Sequence, residues 1–219
     1  MNGLYSNAKH NQLLIIGASG HGRVVADIAM NMGIWKEIAF LDDDEGIKSF
    51  LGLHVIGKTT DAESYQDEYD VFVAIGDNAV REQIISQLIQ KGANIPLLIH
   101  PHTTIGSAVE IGVGTIIMPG TVIACNCQLG RGCIINTAAT IDHDNVIEDF
   151  VHISPGVHTA GSVKIGTRTW LGIGSVVCHN VNITQDCTVG AGAVVIRDIS
   201  ETGTYIGVPA RRISHGKIK

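Results

Sequence analysis

From Ile105 to Val195 an aliphatic side chain returns every six positions: Ile105, Ile111, Ile117, Ile123, Leu129, Ile135, Ile141, Ile147, Ile153, Thr159, Ile165, Leu171, Val177, Ile183, Val189 and Val195, with Thr159 the one departure. Four positions after many of them stands a second, smaller residue, such as Thr115, Cys127, Cys133, Ala139, Val157, Ser175 or Ala193. A period of six suits neither a helix nor a hairpin. Residues two apart in a strand face the same way, so the small residue and the aliphatic residue two later both point inward. The three residues after the aliphatic one make a turn, where Gly, Asn and Asp supply the dihedrals. Such a unit cannot bury its apolar face alone and has to stack on its neighbours, which predicts a parallel β-solenoid.

Before residue 100 the pattern changes. Leu13–Ile16, Ile38–Leu41 and Val71–Ile75 read as buried strands, and Pro96–Ile99 as a last short one. Helical periods follow the first and third, with Val24, Val25, Ile28 and Ala29 on one face and a second helix over residues 79–91. Alternating strands and helices predict an α/β domain with an open, mostly parallel, Rossmann-like sheet. The chain is thus expected to comprise a flexible polar tail at 1–12, an α/β domain at 13–100 and a solenoid domain at 101–219, with His100-Pro101 as the link.

Composition narrows the classes. Hydrophobic residues make up 45% of the 219 while aromatics make up 5%, which suits a core of β-branched side chains. A net charge of −6 argues against a nucleic-acid surface, and no Lys/Arg run suggests an anionic membrane. No apolar run approaches the ~18 residues that span a bilayer, and no signal-peptide pattern is present, so a cytoplasmic location is expected. Three of the five cysteines, Cys127, Cys133 and Cys187, fall in the small inward column, which favours packing over disulfides or metal binding.

Candidate chemistry collects at strand ends and at one solenoid corner. Gly17-Ala18-Ser19-Gly20-His21-Gly22 joins the first strand to its helix, where backbone N–H groups and the helix dipole suit a phosphate. Asp42 and Asp43 end the next strand and Gly76 follows the third, all on the edge where open α/β sheets bind nucleotides. In the solenoid, Ile141-Asp142-His143-Asp144-Asn145 is the most polar corner in the register, and Asn145 occupies the small inward column. A buried Asn needs partners, so it is expected to tie down the backbone presenting His143. A histidine titrating near neutrality suits proton removal from an attacking amine, and either flanking carboxylate could raise its basicity. Should eighteen residues make one coil, Gly161 stacks on His143 and is expected to clear space for a thioester above it and to expose an oxyanion-binding N–H. His152, with Trp170 in its column, points outward from a flat face as a contact surface.

The six-residue period resembles that of the hexapeptide-repeat acyltransferases, which implies a left-handed parallel β-helix with three hexapeptides per coil. The motifs GASGHG, FLDD (Phe40–Asp43), AIGDN (Ala74–Asn78), LIHP (Leu98–Pro101), INTAATIDHD (Ile135–Asp144) and GVPAR (Gly207–Arg211), in this order, resemble the PglD/NeuD group of bacterial sugar acetyltransferases, and its PglD branch most. That resemblance implies acetyl-CoA as co-substrate, a UDP-linked 4-amino-4,6-dideoxy sugar as acceptor, a role in bacterial glycan biosynthesis, a homotrimer and no metal. It implies that Ser19, Gly20 and His21 contact the sugar nucleotide, with Asp42, Asp43 and Gly76 near its uridine end. By the same resemblance His143 is the base and Asp144 the acid beside it, while His152, Gly161, Ile173 and Ala191 line acetyl-CoA. The branch carries Glu where this chain has Asp144. Three other readings stay open: O-acetylation of a sialic acid, as in the NeuD branch; a metal hydrolase on the same solenoid; and a nucleotide-binding module on an inert scaffold.

Overall fold

The computed structural model describes residues 7–47 and 49–213, and the chain divides into two compact units at Pro101/His102. The first unit contains β1 (Gln12–Ile16), α1 (Gly20–Met32), β2 (Glu37–Leu41), β3 (Ser49–Phe50), β4 (Leu53–Gly57), α2 (Ala62–Tyr65), β5 (Tyr69–Val73) and α3 (Asn78–Gln90). Its sheet has the order β3-β4-β2-β1-β5. All pairs are parallel except β3–β4. Central β1 is apolar over LLII and buried on both faces, as a strand covered on each side by helices must be. The β3–β4 hairpin was not expected. Its residues alternate between half-buried and exposed at the sheet edge, so they lack the apolar run that marked the central strands. The short strand Leu98–Ile99 does not join this sheet.

The expectation of a flexible tail to residue 12 needs correction. Residues 1–6 lie outside the described residues, but Asn7 donates to the Ile95 carbonyl (3.0 Å) and accepts from Leu97 N–H (2.7 Å). The buried Asp70 carboxylate accepts from Lys9 N–H (3.1 Å), from Trp35 Nε1 (2.8 Å) and from Asn94 Nδ2 (2.6 Å). A carboxylate taken out of water needs such donors, and the segment before β1 supplies part of them.

The second unit is a parallel β-helix. Two-residue strands stack with partners 18 residues apart, as in Val122↔Thr140↔His158↔Val176, Gln128↔Val146↔Lys164 and Ile134↔His152↔Trp170. From Ile117 to Val195 every member of the aliphatic column is buried, and so is the small column from Thr115 to Ala193. Among the described residues no helix is long and apolar enough to cross a membrane.

Glycine serves two different needs in the corners. The third residue after each aliphatic one, from Ala108 to Gly192, lies in the left-handed region with φ between 55 and 75°. The glycines directly after the aliphatic residue do not need that conformation. A Cβ on Gly112 would lie 2.4 Å from Arg131 N, and one on Gly166 the same distance from Gln185 N. They admit the backbone of the next coil. The turn-dihedral reading therefore holds for the third position and not for the first.

Candidate active site

The corner after Ile141 presents His143 through a closed set of hydrogen bonds. His143 Nδ1 lies 2.6 Å from Asp144 Oδ2, and His143 N–H donates to Asp142 Oδ1 (2.8 Å). The two carboxylates thus divide their work: Asp144 holds the ring and Asp142 the backbone. Asp144 is in the left-handed region (φ 60°), and its short side chain lies against the preceding residue. Its contact with Asp144, then the charge of Asp142, raises the His143 pKa above the ordinary imidazole value. With Nδ1 facing a carboxylate, the neutral ring carries its proton there and leaves Nε2 as the basic atom. Asn145 is fully buried, and its Nδ2 donates to the carbonyls of Asp142 (2.8 Å), His143 (3.2 Å) and Ala160 (2.8 Å). It ties down the backbone that presents His143, as expected, and also links this corner to the next coil through Ala160.

Gly161 stacks beside the imidazole. A Cβ there would lie 2.6 Å from both Cε1 and Nε2 of His143. The room expected for a thioester is therefore taken by the imidazole itself, since the ring folds over the glycine of the next coil. Gly161→Ala should displace the ring and lower turnover by up to about 10²-fold, the scale of a ~1 Å misplacement. The melting temperature should hardly move, because the exposed ring yields rather than the backbone. Steady-state kinetics beside a melting curve checks both halves.

His152, Ile173 and Ala191 lie on a different side of the coil. His152 begins the strand His152–Ile153, one full face and two corners after Ile141. Its ring stacks on Trp170, with centroids 5.8 Å apart and planes 18° from parallel, and Trp170 Nε1 donates to Ser154 Oγ (2.8 Å). Ile173 and Ala191 are exposed on the corner that follows this face. The left-handed positions of that corner are Gly120, Ala138, Gly156, Gly174 and Gly192. Nothing stands within 4 Å of where a Cβ would sit on Gly156, Gly174 or Gly192. At those three glycines the corner is open, with the exposed Ile173 and Ala191 beside Gly174 and Gly192. The structure brings His143 and Gly161 together and keeps His152, Ile173 and Ala191 apart from them within one chain.

In the first unit Ser19 precedes α1, and Gly20 and His21 form its first turn. Gly17 (φ 100°) and Gly22 let strand and helix approach, since a Cβ on Gly22 would lie 1.9 Å from Gly17 O. Asp42 braces this turn: one oxygen accepts from Ala18 N–H (2.6 Å), the other from Asp44 N–H (2.8 Å). Asp43 accepts from Thr59 N–H (3.0 Å). The Gly76 carbonyl accepts from the buried Arg81 guanidinium (3.2 Å), which also bonds Ile75 O and Asn78 Oδ1. Burial first, and the Arg81 charge second, pulls the His21 pKa down to about 4, so the imidazole is neutral at pH 7. Its buried Nε2 has no hydrogen-bond partner among the described residues. Among the described residues no group of three or more His, Cys, Asp or Glu could hold a metal ion.

Residues 12–88 match the family model described as the PglD N-terminal domain. The acetyltransferase domain of PglB from Neisseria gonorrhoeae FA1090, solved in complex with acetyl coenzyme A, is 39% identical, with a TM-score of 0.91 over 94% of this chain and 100% of that one. PerB from Caulobacter crescentus, solved in complex with CoA and GDP-perosamine, is 34% identical, with a TM-score of 0.88 over 93% of this chain and 97% of that one. Among curated relatives, UDP-3-O-acylglucosamine N-acyltransferase of Bordetella avium (strain 197N) is 31% identical over 105 residues, which span 48% of this chain and 28% of that protein. The α/β unit, the 18-residue coil and the end-to-end likeness to the acetyltransferase domain of PglB agree: this chain belongs to the PglD-type sugar acetyltransferases, acyltransferases built on a left-handed β-helix.

Proposed function

We propose that this protein transfers the acetyl group of acetyl-CoA to the 4-amino group of a nucleotide-linked 4-amino-4,6-dideoxy sugar, with His143 as general base. The observation that carries this reading is the 2.6 Å contact of His143 Nδ1 with Asp144, which leaves Nε2 to take a proton. The amine nitrogen attacks the thioester carbonyl and its proton passes to His143 Nε2. Collapse of the tetrahedral intermediate then expels the CoA thiolate, which leaves with that proton. His152, Ile173 and Ala191 line the pantetheine and nucleotide of acetyl-CoA, and the glycine corner fits an extended chain of this kind. In the first unit Ser19, Gly20 and His21 hold the sugar nucleotide. The neutral His21 ring, with Nε2 lacking a partner among the described residues, can bond an uncharged hydroxyl or amine.

Because His143 lies on one corner of the coil and His152 on a face one strand and two corners after Ile141, each site takes one from each of two chains in a homotrimer. A closed head-to-tail ring allows this. Uridine is the proposed base, from the resemblance carried by the FLDD and AIGDN motifs. The GDP-perosamine bound by PerB supports a second reading, a guanosine-linked amino sugar. CoA release should be measured with acetyl-CoA and UDP- or GDP-linked 4-amino-4,6-dideoxy sugars, with free and CMP-linked sialic acids as O-acetyl acceptors. We expect turnover fastest with a UDP-amino sugar. A higher kcat/KM with the GDP-linked sugar moves the assignment to the second reading, and turnover with sialic acids alone overturns both.

A further inference from the structure

The corner that carries His143 differs from the corner after Leu171 in one column. Its left-handed positions are Ala108, Asn126, Asp144, Ser162 and Asn180, whereas the corner after Leu171 has glycine or alanine in all five. Glycine adopts this conformation without steric cost and Asn tolerates it less well, so backbone geometry alone does not call for Asn126. Its side chain has a defined task. One coil before Asp144, Asn126 Nδ2 donates to Asp144 Oδ1 at 2.6 Å. The other oxygen of that carboxylate faces His143 Nδ1, also at 2.6 Å. An exposed Asp side chain has two torsions and a two-fold carboxylate. Fixing one oxygen from the coil before directs the other at the ring.

We propose that Asn126 is a positioning residue for acetyl transfer, the third member of an Asn126–Asp144–His143 chain that sets the orientation and basicity of the base. This rests on His143 being that base. The amide bond, ahead of the contact with His143, holds the Asp144 carboxyl below the ordinary carboxylate range, so the partner of the imidazole stays ionised over the working pH. The titratable groups around His143 are Asp142 and Asp144 in its own corner, Cys125 and His179 in the same corner column of the solenoid, and the buried Cys127, whose thiol donates to the Asp142 carbonyl. Among the described contacts, Asp144 alone of these touches the ring.

Two exchanges of Asn126 should move the base in opposite directions, which a purely structural role would not do. Asn126→Gly keeps the left-handed backbone and frees Asp144. The acid limb of kcat/KM should move to lower pH as His143 loses its fixed partner. We expect kcat to fall about tenfold, a fraction of what general-base catalysis supplies, with KM for acetyl-CoA unchanged. Asn126→Asp sets a second negative charge against Asp144 and should move the limb to higher pH. Asn180→Gly, the same exchange three coils on, serves as control and should leave the profile as it was. Histidine NMR titration of each folded variant reads the His143 pKa independently of turnover. Limbs and titrations unmoved in both Asn126 variants, or moved equally by Asn180→Gly, overturn the proposal. His143→Ala run alongside separates this from a failure of the base assignment: an active His143→Ala enzyme sinks that assignment, whatever Asn126 does.

Discussion

His143→Ala lowers kcat by about 10²–10⁴-fold, the usual worth of a positioned general base, while the affinity for the sugar nucleotide changes little. The ring is exposed and rests on a glycine, so its loss removes no core packing and the melting temperature should hold. The pH dependence gives the same test a second reading. The base works as the neutral imidazole, so activity falls as pH drops through its pKa. Asp144 and then Asp142 raise that pKa above 6.5, which puts the acid limb of kcat/KM above the ordinary histidine position. Asp144→Asn removes the negative charge facing Nδ1 while keeping a neutral acceptor there: the limb should move to lower pH and kcat should fall by less than in His143→Ala. Near-normal turnover of His143→Ala would remove the residue from the mechanism.

Ile165→Asp should unfold or disassemble the β-helix. Ile165 is fully buried and stacks between Ile147 and Ile183 in the aliphatic column. A carboxylate there loses its hydration with no donor designed to meet it. It also removes the aliphatic packing of both neighbours. Each effect costs several kcal/mol, against a net stability on the order of 5–15 kcal/mol for a whole domain. Thr159→Val is the opposite case in the same column. Thr159 is buried, and its hydroxyl has no hydrogen-bond partner among the described residues, so exchanging it for a methyl of like shape should raise the melting temperature. The desolvation cost relieved is about 1–3 kcal/mol. An unchanged melting curve for Ile165→Asp would show the column facing outward.

The inward register could be read from the chain because the constraint is local and repeated. Each coil must bury the same positions, so a period of six with 18-residue stacking leaves one solution, and Ile117 to Val195 are buried as that solution requires. Central strands of the α/β unit were legible for a related reason, since a strand covered on both faces has to be apolar throughout. The β3–β4 hairpin was not, because an edge strand half in water carries no such run. The anchored segment from Asn7 was not legible either. What holds it is the buried Asp70 carboxylate together with the backbone at Ile95 and Leu97, each more than sixty residues away.

At the site the division falls between identity and geometry. His143, its flanking carboxylates and the misplaced Asn145 stood out in the sequence, because a polar run inside an apolar repeat costs stability unless it serves something. Which carboxylate meets the ring was undetermined there, since Asp142 and Asp144 are equally near in sequence. The folded corner decides it: Asp144, held from the coil before by Asn126, meets Nδ1, and Asp142 meets the backbone N–H. Asn126 and Gly161 belong to the site only through stacking, each 18 residues from a residue it touches. Contacts of that kind arise from the rise of one coil over the next, and the order of residues along the chain carries no distance until the coil closes.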